Sequence, residues 1–187
     1  MNKRIFLAVK ITPEPGLLDV IDFVRDELVD EKIKWVEENQ FHITLKFFGD
    51  TSEDKIKDIS LAIKICCSKI KRFSFDLCNP WYFRDRDQFR VVLMQTERTE
   101  KLVAFQKELE SAFLSIGIEK EDRVFKPHLT LGRIKSIRNT RYFYELMKQF
   151  PKKVIQVVPV SELILFESIL KPAGPEYIIL ERLELSK

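Results

Sequence analysis

The sequence predicts an α+β fold made of two similar lobes around a shared central cleft. Helix-like and strand-like segments alternate along the 187 residues, but the Gly-rich loops of a dinucleotide-binding fold are missing. A four-residue pattern, His-apolar-Thr-Leu, occurs once in each half, at positions 42 and 128. A repeat at this spacing is typical of an internal duplication. We therefore expect antiparallel or mixed sheets flanked by helices, with one copy of the pattern in each lobe.

The first half of the chain alternates short β-rich runs with amphipathic segments. Apolar residues recur every three or four positions in two segments, which predicts helices. A Gly49-Asp50 turn is expected to end the third strand, and Thr51 or Ser52 can cap the helix that follows. The predicted elements are strands at 4–11, 32–36 and 41–48 and helices at 17–29 and from this cap to 70.

The second half contains the same kinds of segment, separated by Gly and Pro. Asn79-Pro80 is expected to break a strand and to lead into a loop at 82–88. Gly117 and Pro151 each follow an amphipathic helix and end it. The predicted elements are strands at 73–77, 89–94, 127–134, 153–158, 161–169 and 176–184 and helices at 99–115 and 137–150.

Composition indicates a globular protein with a large core. Apolar residues make up 45% of the chain, including 15 Phe, and no low-complexity linker separates the halves. We therefore expect residues 1–187 to form a single two-lobed domain. No apolar stretch approaches the ~20 residues of a membrane span. This favours a soluble, cytoplasmic protein, and we expect a monomer.

Charge gives only weak evidence about partners. The net charge is +3 and both signs are mixed along the chain. Basic residues are concentrated around the second copy of the pattern, at Arg123, Lys126, Arg133, Lys135, Arg138 and Arg141. Such a cluster can bind a phosphate-bearing ligand or form a solvated face, and the sequence favours neither interpretation.

Three cysteines, Cys66, Cys67 and Cys78, show no spacing typical of a disulfide framework or a metal site. We expect all three to be reduced thiols in or near the core. No HExxH motif or carboxylate cluster lies near either histidine. The sequence therefore predicts neither a metal nor a cofactor.

The repeated pattern contains the only two histidines of the chain, in Phe41-His42-Ile43-Thr44-Leu45 and Pro127-His128-Leu129-Thr130-Leu131. With 7 Thr and 20 Leu, a random His has Thr at +2 and Leu at +3 only about 4 times in 1000. Finding this twice in two histidines is not explained by composition. The alternative is a pair of hydrogen-bonded strand histidines next to β-branched residues, as strands prefer.

Strand geometry brings each imidazole next to a hydroxyl group. Side chains alternate between the two faces of a strand, so His42 and Thr44 point one way, and His128 and Thr130 do the same in the other half. One bound phosphate group can then contact two imidazoles and two hydroxyls.

Two imidazoles suit in-line displacement at phosphorus, because one can be neutral and accept a proton while the other is charged and donates one. Hydroxyls and a cation would stabilise charge on the remaining oxygens. The two copies are too similar for residue chemistry to assign the donor and the acceptor.

These residues resemble the two-histidine phosphoesterase superfamily, and more closely its RNA 2′,3′-cyclic phosphodiesterase branch, also called the 2′–5′ RNA ligase (LigT-like) family. The likeness covers most of the chain. It extends over Arg4-Ile5-Phe6-Leu7-Ala8-Val9, Trp35, the segments 41–49 and 125–133, the closing Leu165-Phe166-Glu167-Ser168 and Tyr177.

The resemblance implies a bilobal α+β fold whose two histidines face each other across a cleft. It implies hydrolysis of a 2′,3′-cyclic phosphate end of RNA to a 2′-phosphomonoester, with His42 as proton donor and His128 as proton acceptor. It also implies the reverse reaction, which joins RNA ends such as tRNA halves through a 2′–5′ linkage without a nucleotide cofactor.

Three cationic residues are further candidates for substrate binding. Arg90 fits a strand arginine of the family, although a solvated strand residue is an equal alternative. Arg133 resembles a phosphate-binding arginine, but strict alternation from His128 places it on the opposite face of the strand unless a bulge near Gly132 turns it. Lys126 has the correct parity to contact phosphate.

Two other functions remain open from the sequence. The site can bind an RNA end without turnover, or it can act on a cyclic-phosphorylated nucleotide or a 2′–5′ oligonucleotide instead. Four aromatic residues can stack on bases in each case, although a place in the core is favoured for them: Phe41, Trp81, Tyr82 and Phe83.

Overall fold

Two antiparallel sheets form the framework of the protein, for which a computed structural model describes residues 2–172 and 174–187. The strands are β1 (Asn2–Lys10), β2 (Lys32–Trp35), β3 (His42–Ser52), β4 (Phe73–Asp85), β5 (Gln88–Glu97), β6 (Leu129–Ser136), β7 (Gln156–Val160), β8 (Glu162–Lys171) and β9 (Gly174–Glu184). The helices are α1 (Pro15–Glu27), α2 (Glu53–Cys67), α3 (Glu100–Ser115) and α4 (Thr140–Gln149).

Each sheet carries one of the two histidine motifs. Sheet A has the strand order β3-β1-β8-β9, and sheet B has the order β2-β6-β5-β4-β7. The first motif begins at the first residue of β3, and the second lies at the start of β6. The paired strands of both sheets are antiparallel. The predicted α+β fold is therefore confirmed.

One large hydrophobic core joins both sheets to the helices. It includes Ile5 of β1, Leu17 of α1, Ile59 of α2, Phe105 of α3 and Phe143 of α4, all of which are almost completely buried. Burial of one such side chain contributes about 1.5–3 kcal/mol. This core packs against one face of sheet A, and a smaller cluster of Phe6, Ala8, Ile164 and Phe166 lies apart from it.

The predicted break at Asn79-Pro80 and the predicted loop at 82–88 are wrong. Strand β4 continues to Asp85 because Pro80 lies at a bulge, where the register shifts between Leu77 and Pro80. Strand β7 pairs with β4 only as far as Leu77, so one edge of β4 is open at Pro80. A proline is tolerated at such a position because its missing N–H group is not needed there.

The predicted end of the third strand at Gly49-Asp50 is also wrong. Gly49 has φ +71° and lies at a bulge, where Ile5 pairs with Gly49 and Phe6 pairs with Phe47. A glycine in this conformation lets the strand bend and continue. The strand ends at Ser52, whose hydroxyl accepts a hydrogen bond from Lys55 N (3.4 Å) and caps α2.

Most other boundaries differ from the prediction by only a few residues. Helix α4 starts at Thr140 rather than at residue 137, because Asn139 accepts a hydrogen bond from Tyr142 N (3.0 Å) and caps it. The three cysteines are free and buried, as predicted. No helix within the described residues is long and apolar enough to cross a membrane.

Candidate active site

The two motifs show the alternation that the sequence predicts. Their apolar residues are buried in the core: Ile43, Leu45, Leu129 and Leu131. The four polar residues are half-buried: His42, Thr44, His128 and Thr130. The strands that carry them, β3 and β6, contact each other. The fold therefore brings the two motifs together from different sheets.

The same hydrogen bond holds both imidazole rings. Nδ1 of His42 lies 2.6 Å from the carbonyl oxygen of Gln40, and Nδ1 of His128 lies 2.7 Å from that of Lys126. A carbonyl oxygen only accepts, so Nδ1 carries the hydrogen and donates it. Proton transfer is then left to Nε2 of each ring. Within residues 2–172 and 174–187, Nε2 of neither histidine has a hydrogen-bond partner in the protein.

Two side chains that the sequence analysis missed anchor these carbonyl-bearing segments. The amide of Gln40 donates to the carbonyl oxygen of Pro175 (2.7 Å), and the hydroxyl of Thr96 donates to that of Pro127 (2.8 Å). The first anchor joins Gln40, two residues before His42, to β9, and the second joins Pro127, the residue before His128, to β5. No spacing in the sequence could indicate them, because each contact spans many residues.

His42 lies in an aromatic environment. Its ring centroid is 5.0 Å from that of Phe6 and 5.4 Å from that of Tyr177. The pKa of His42 is lowered to about 4, mainly by burial and also by the positive charges of Lys10, Arg133 and His128, although the bond to Gln40 opposes this. Without a ligand, His42 is therefore neutral at pH 7.

His128 has a different set of neighbours. Its ring centroid is 4.6 Å from that of Phe83, in an edge-on arrangement. Burial lowers the pKa of His128, and the charge of Arg133 adds to this effect, whereas the bond to Lys126 raises it. The charge of Arg133 therefore acts on both histidines.

A bulge in β6 explains how Arg133 reaches the site. Leu93 pairs with Thr130 and Val92 pairs with Gly132, so Leu131 is an extra residue on β6. An extra residue reverses the alternation beyond it, which puts Arg133 on the same face as Thr130. The bulge considered for the region of Gly132 is present.

Gly132 allows the neighbouring strand to approach this bulge closely. A Cβ atom at this position would lie 2.7 Å from Cγ2 of Ile33 and 2.9 Å from Cε3 of Trp35. Such distances are too short for real Cβ atoms, so any other residue would displace β2. The glycine is therefore needed for close packing of the strand that carries Arg133.

The first motif has a bulge at the equivalent position. Ala8 pairs with Thr44 and Leu7 pairs with Lys46, which leaves Leu45 as the extra residue on β3. Counting from each histidine, Phe47 therefore occupies the place of Arg133. Phe47 is 55% exposed, and its ring lies 5.7 Å from that of Phe6 on the face of His42. The two motifs thus share a bulged backbone but differ in the chemistry of this position.

The structure does not bring all the predicted residues together. Arg90 lies near the β4–β5 hairpin, where its guanidinium is 3.8 Å from Asp85, and the described residues show no contact between Arg90 and either motif. Lys126 is exposed, and its backbone carbonyl, rather than its side chain, contacts His128. The other basic residues around the second motif are exposed as well: Arg123, Lys135, Arg138 and Arg141.

Only part of the aromatic set is in the core. Phe41 and Tyr82 are buried, as the sequence favours. Trp81 is half-buried, packs against the core and stacks on Tyr82 with ring centroids 4.8 Å apart. Phe83 is the exception, because it contacts His128.

A groove of about 220 Å³ begins at His42 and extends over sheet A. It is lined by Lys10, Asn39, Gln40, His42, Ile164, Phe166, Glu176, Tyr177, Ile179 and Arg182. Ile164 and Phe166 belong to a small hydrophobic cluster with Phe6 and Ala8, separate from the main core. The groove therefore combines an apolar floor with charged walls.

The groups assembled around the two Nε2 atoms suit proton transfer at a bound anion. Two hydroxyls and the Arg133 guanidinium can bind anionic oxygens, and each imidazole can donate or accept one proton. Within the described residues, no cluster of three or more His, Cys, Asp or Glu side chains is placed to bind a metal ion.

Comparison with known proteins gives one consistent family. The chain is 34% identical over 183 residues to the RNA 2′,3′-cyclic phosphodiesterase of Methanothermobacter thermautotrophicus, an alignment that covers 97% of this chain and 98% of that protein. It is 31% identical over 180 residues to the protein of the same name in Methanocaldococcus jannaschii, with 95% and 98% covered.

Solved structures share the fold over almost the whole chain. TT0787 of Thermus thermophilus superposes with a TM-score of 0.79 at 25% identity and covers 97% of both chains. E. coli LigT complexed with 3′-AMP superposes with a TM-score of 0.77 at 24% identity and covers 100% of both. The family model described as the 2′-5′ RNA ligase superfamily matches residues 19–168. The chain therefore belongs to the 2′-5′ RNA ligase superfamily.

Proposed function

We propose that the protein hydrolyses the 2′,3′-cyclic phosphate end of RNA to a 2′-phosphomonoester. One observation carries the proposal: two imidazoles from different sheets are each held by an Nδ1 hydrogen bond to a backbone carbonyl, and the charge of Arg133 lowers the pKa of both. The names of the relatives in M. thermautotrophicus and M. jannaschii support the choice of substrate.

In the proposed reaction, a water molecule attacks phosphorus while the bond to the 3′ oxygen breaks. His128 accepts the proton of the water at Nε2, and His42 donates a proton from Nε2 to the leaving 3′ oxygen. His128 gains one proton and His42 loses one, so the net charge of the site does not change. Exchange of protons with solvent then returns both histidines to their starting states. Thr44, Thr130 and Arg133 are proposed to bind the other phosphate oxygens.

Two of the predicted substrate-binding residues have less direct support. Lys126 is exposed next to His128 and can approach the phosphate as a point charge. Arg90 lies with Asp85 at the β4–β5 hairpin. We keep Arg90 only as a candidate contact for RNA that extends beyond the two motifs.

The donor role of His42 requires a bound anion. In the protein alone, burial lowers the pKa of His42 to about 4, which favours the neutral form at pH 7. A phosphodiester brings a negative charge next to the ring, and this charge raises the pKa again. We therefore propose that His42 takes up its proton together with the substrate.

The same site supports the reverse reaction in principle. A 5′-hydroxyl of RNA in the place of water would form a 2′–5′ linkage, and tRNA halves are candidate substrates. We propose that hydrolysis dominates, because ~55 M water competes with a dilute hydroxyl unless the site orients the latter with a high effective molarity. We further propose that the enzyme acts as a monomer in the cytoplasm and needs no metal or cofactor.

The test is hydrolysis of an RNA oligonucleotide with a 2′,3′-cyclic phosphate, with the product analysed for a 2′-phosphomonoester. The wild-type protein should convert it at the same rate with and without a chelator, whereas His42→Ala and His128→Ala should each lose activity by about 10³-fold or more while remaining folded. Tight binding of the oligonucleotide without any product would instead show a module that binds RNA ends.

A further inference from the structure

We propose that the groove beside His42 binds the RNA chain upstream of the cyclic phosphate, with a base on its apolar floor and a backbone phosphate at Lys10 and Arg182. This inference rests on the proposed function and adds a second binding site to it. The ligand class is a single-stranded oligonucleotide that ends in the reacting phosphate.

The direction of the chain follows from the reaction geometry. In-line displacement puts the attacking water and the leaving oxygen on opposite sides of phosphorus. If His42 protonates the 3′ oxygen, the ribose that bears this oxygen lies on the His42 side. The rest of the RNA is attached to that ribose, so it must leave the site past His42. The groove of about 220 Å³ begins at this point.

The floor of the groove suits a nucleobase. Ile164 and Phe166 form the buried base of a small cluster that is separate from the main core, and the half-buried Tyr177 packs on this cluster and supplies accessible apolar surface. Ile179 is 44% exposed although it is a large aliphatic residue on this floor. An apolar surface with an aromatic ring at its edge favours a flat, weakly polar ligand such as a base.

The walls of the groove supply positive charge at two distances from His42. Lys10 is the register partner of His42 on the neighbouring strand, and its ammonium donates to the carbonyl oxygen of Asn39. No carboxylate of the described residues pairs with it. It is therefore an uncompensated cation at the mouth of the groove.

Arg182 lies at the far side of the same surface. Strand β9 is three strands from β3 in sheet A, which corresponds to roughly 14 Å at the usual strand spacing. A single phosphate at His42 does not extend this far, so only another part of the ligand can contact Arg182. Glu176 is paired with Lys171, whereas Glu162 is paired with Arg182 itself, so a phosphate here shares the guanidinium with Glu162.

The experiment compares two substrates that share the reacting nucleotide. One is a 2′,3′-cyclic mononucleotide with a 5′-hydroxyl, and the other is a trinucleotide with the same cyclic 3′ end. Wild-type kcat/KM should be higher for the trinucleotide. The ratio of the two values should fall about tenfold in Arg182→Gln and in Lys10→Met, the loss of about one charge-assisted contact. Because the ratio is used, any effect on the phosphate site itself cancels.

Two control variants separate the groove from general charge effects. Arg72→Gln removes an exposed arginine that also pairs with a carboxylate of β9, Glu184, but lies outside the groove. Glu162→Gln removes the partner of Arg182 and keeps the guanidinium. Arg72→Gln should retain the wild-type ratio, and Glu162→Gln should not lower it, because it removes the carboxylate that competes with the phosphate for Arg182. An unchanged ratio in Arg182→Gln and Lys10→Met would overturn the proposal, even if both substrates are hydrolysed.

A binding measurement tests the groove without turnover. A fluorescent trinucleotide with a 2′-phosphate should bind the wild-type protein about tenfold more tightly than the Arg182→Gln variant, and the difference should shrink at high salt. If the wild-type protein hydrolyses neither substrate, the proposed function fails, and this measurement still decides the groove. Equal affinities would overturn the proposal.

Discussion

The first and second motifs share one backbone design but have different surroundings. Both have a histidine held through Nδ1, a threonine two residues later and a bulge after it. Around His42 the neighbours are aromatic and the groove is apolar, whereas the second motif supplies Arg133. The comparison teaches that the same backbone arrangement holds both imidazoles, and that the surrounding side chains give the two rings different environments.

The largest expected effect concerns stability at acid pH. The pKa of His42 is lowered in the folded protein, so the unfolded chain binds more protons below its ordinary value of 6.5. Stability is therefore lost as the pH falls from about 6.5 toward 4, by about 3 kcal/mol for this residue. In His42→Gln this part of the loss should be absent. Urea unfolding of the wild-type protein and of His42→Gln at pH 7 and pH 4 measures how much free energy of unfolding each protein loses. The contributions of the carboxylates cancel, because both proteins contain the same ones.

His128→Gln gives the matched comparison. Burial also lowers the pKa of His128, so His128 likewise contributes stability that is lost as the pH falls. If neither variant changes the acid dependence, the histidines are not desolvated and the description of the site is wrong.

The next effect separates the two positions that follow the bulges. Arg133→Gln should lower kcat/KM by about a hundredfold, because the only guanidinium assigned to the phosphate is lost. Phe47→Ala, at the equivalent position, should lower it only severalfold. Steady-state kinetics on one cyclic-phosphate substrate checks both. Equal losses would show that the two motifs do not differ in the way proposed.

A smaller effect is expected from Gly132→Ala. The added Cβ would lie within 3 Å of Ile33 and Trp35, and overpacking of this kind costs about 1–3 kcal/mol. Arg133 should move with the strand, so activity should fall together with stability. Gly16→Ala is the control, since a Cβ there meets no atom within 4 Å. Thermal unfolding and kcat/KM measure the two variants.

The smallest effects come from the two anchors. Gln40→Leu and Thr96→Val each remove one hydrogen bond to a carbonyl, at a cost of about 1 kcal/mol. Each variant should lower kcat more than it raises KM, because the anchored histidine loses its orientation. A change in KM alone would show that these residues act only on binding.

Features with a local cause were predictable from the sequence. The alternation of His42 with Ile43 and Thr44 follows from the two-residue period of a strand, and the Ser52 cap follows from its side chain. The bulge at Leu45 gave no such signal, and a bulge near Gly132 was only one of two alternatives for Arg133, so the exact positions of both bulges required the structure. They depend on the register of the neighbouring strands, which fixes where an extra residue fits.

Features that depend on distant partners required the structure. Strand β4 continues through Pro80 because β7 pairs only with its first part, a fact that no local pattern contains. The anchors Gln40 and Thr96 contact residues far along the chain. Phe83 was placed in a loop by the sequence and lies against His128 only because β4 is longer than predicted.

The central claim is that both Nε2 atoms contact one phosphate from opposite sides. A crystal structure with an oligonucleotide that ends in a 2′-phosphate measures this directly. We predict hydrogen-bond distances of about 2.6–3.2 Å from Nε2 of His42 and of His128 to different oxygens of the same phosphate. A phosphate that contacts only one of the two rings would contradict the account.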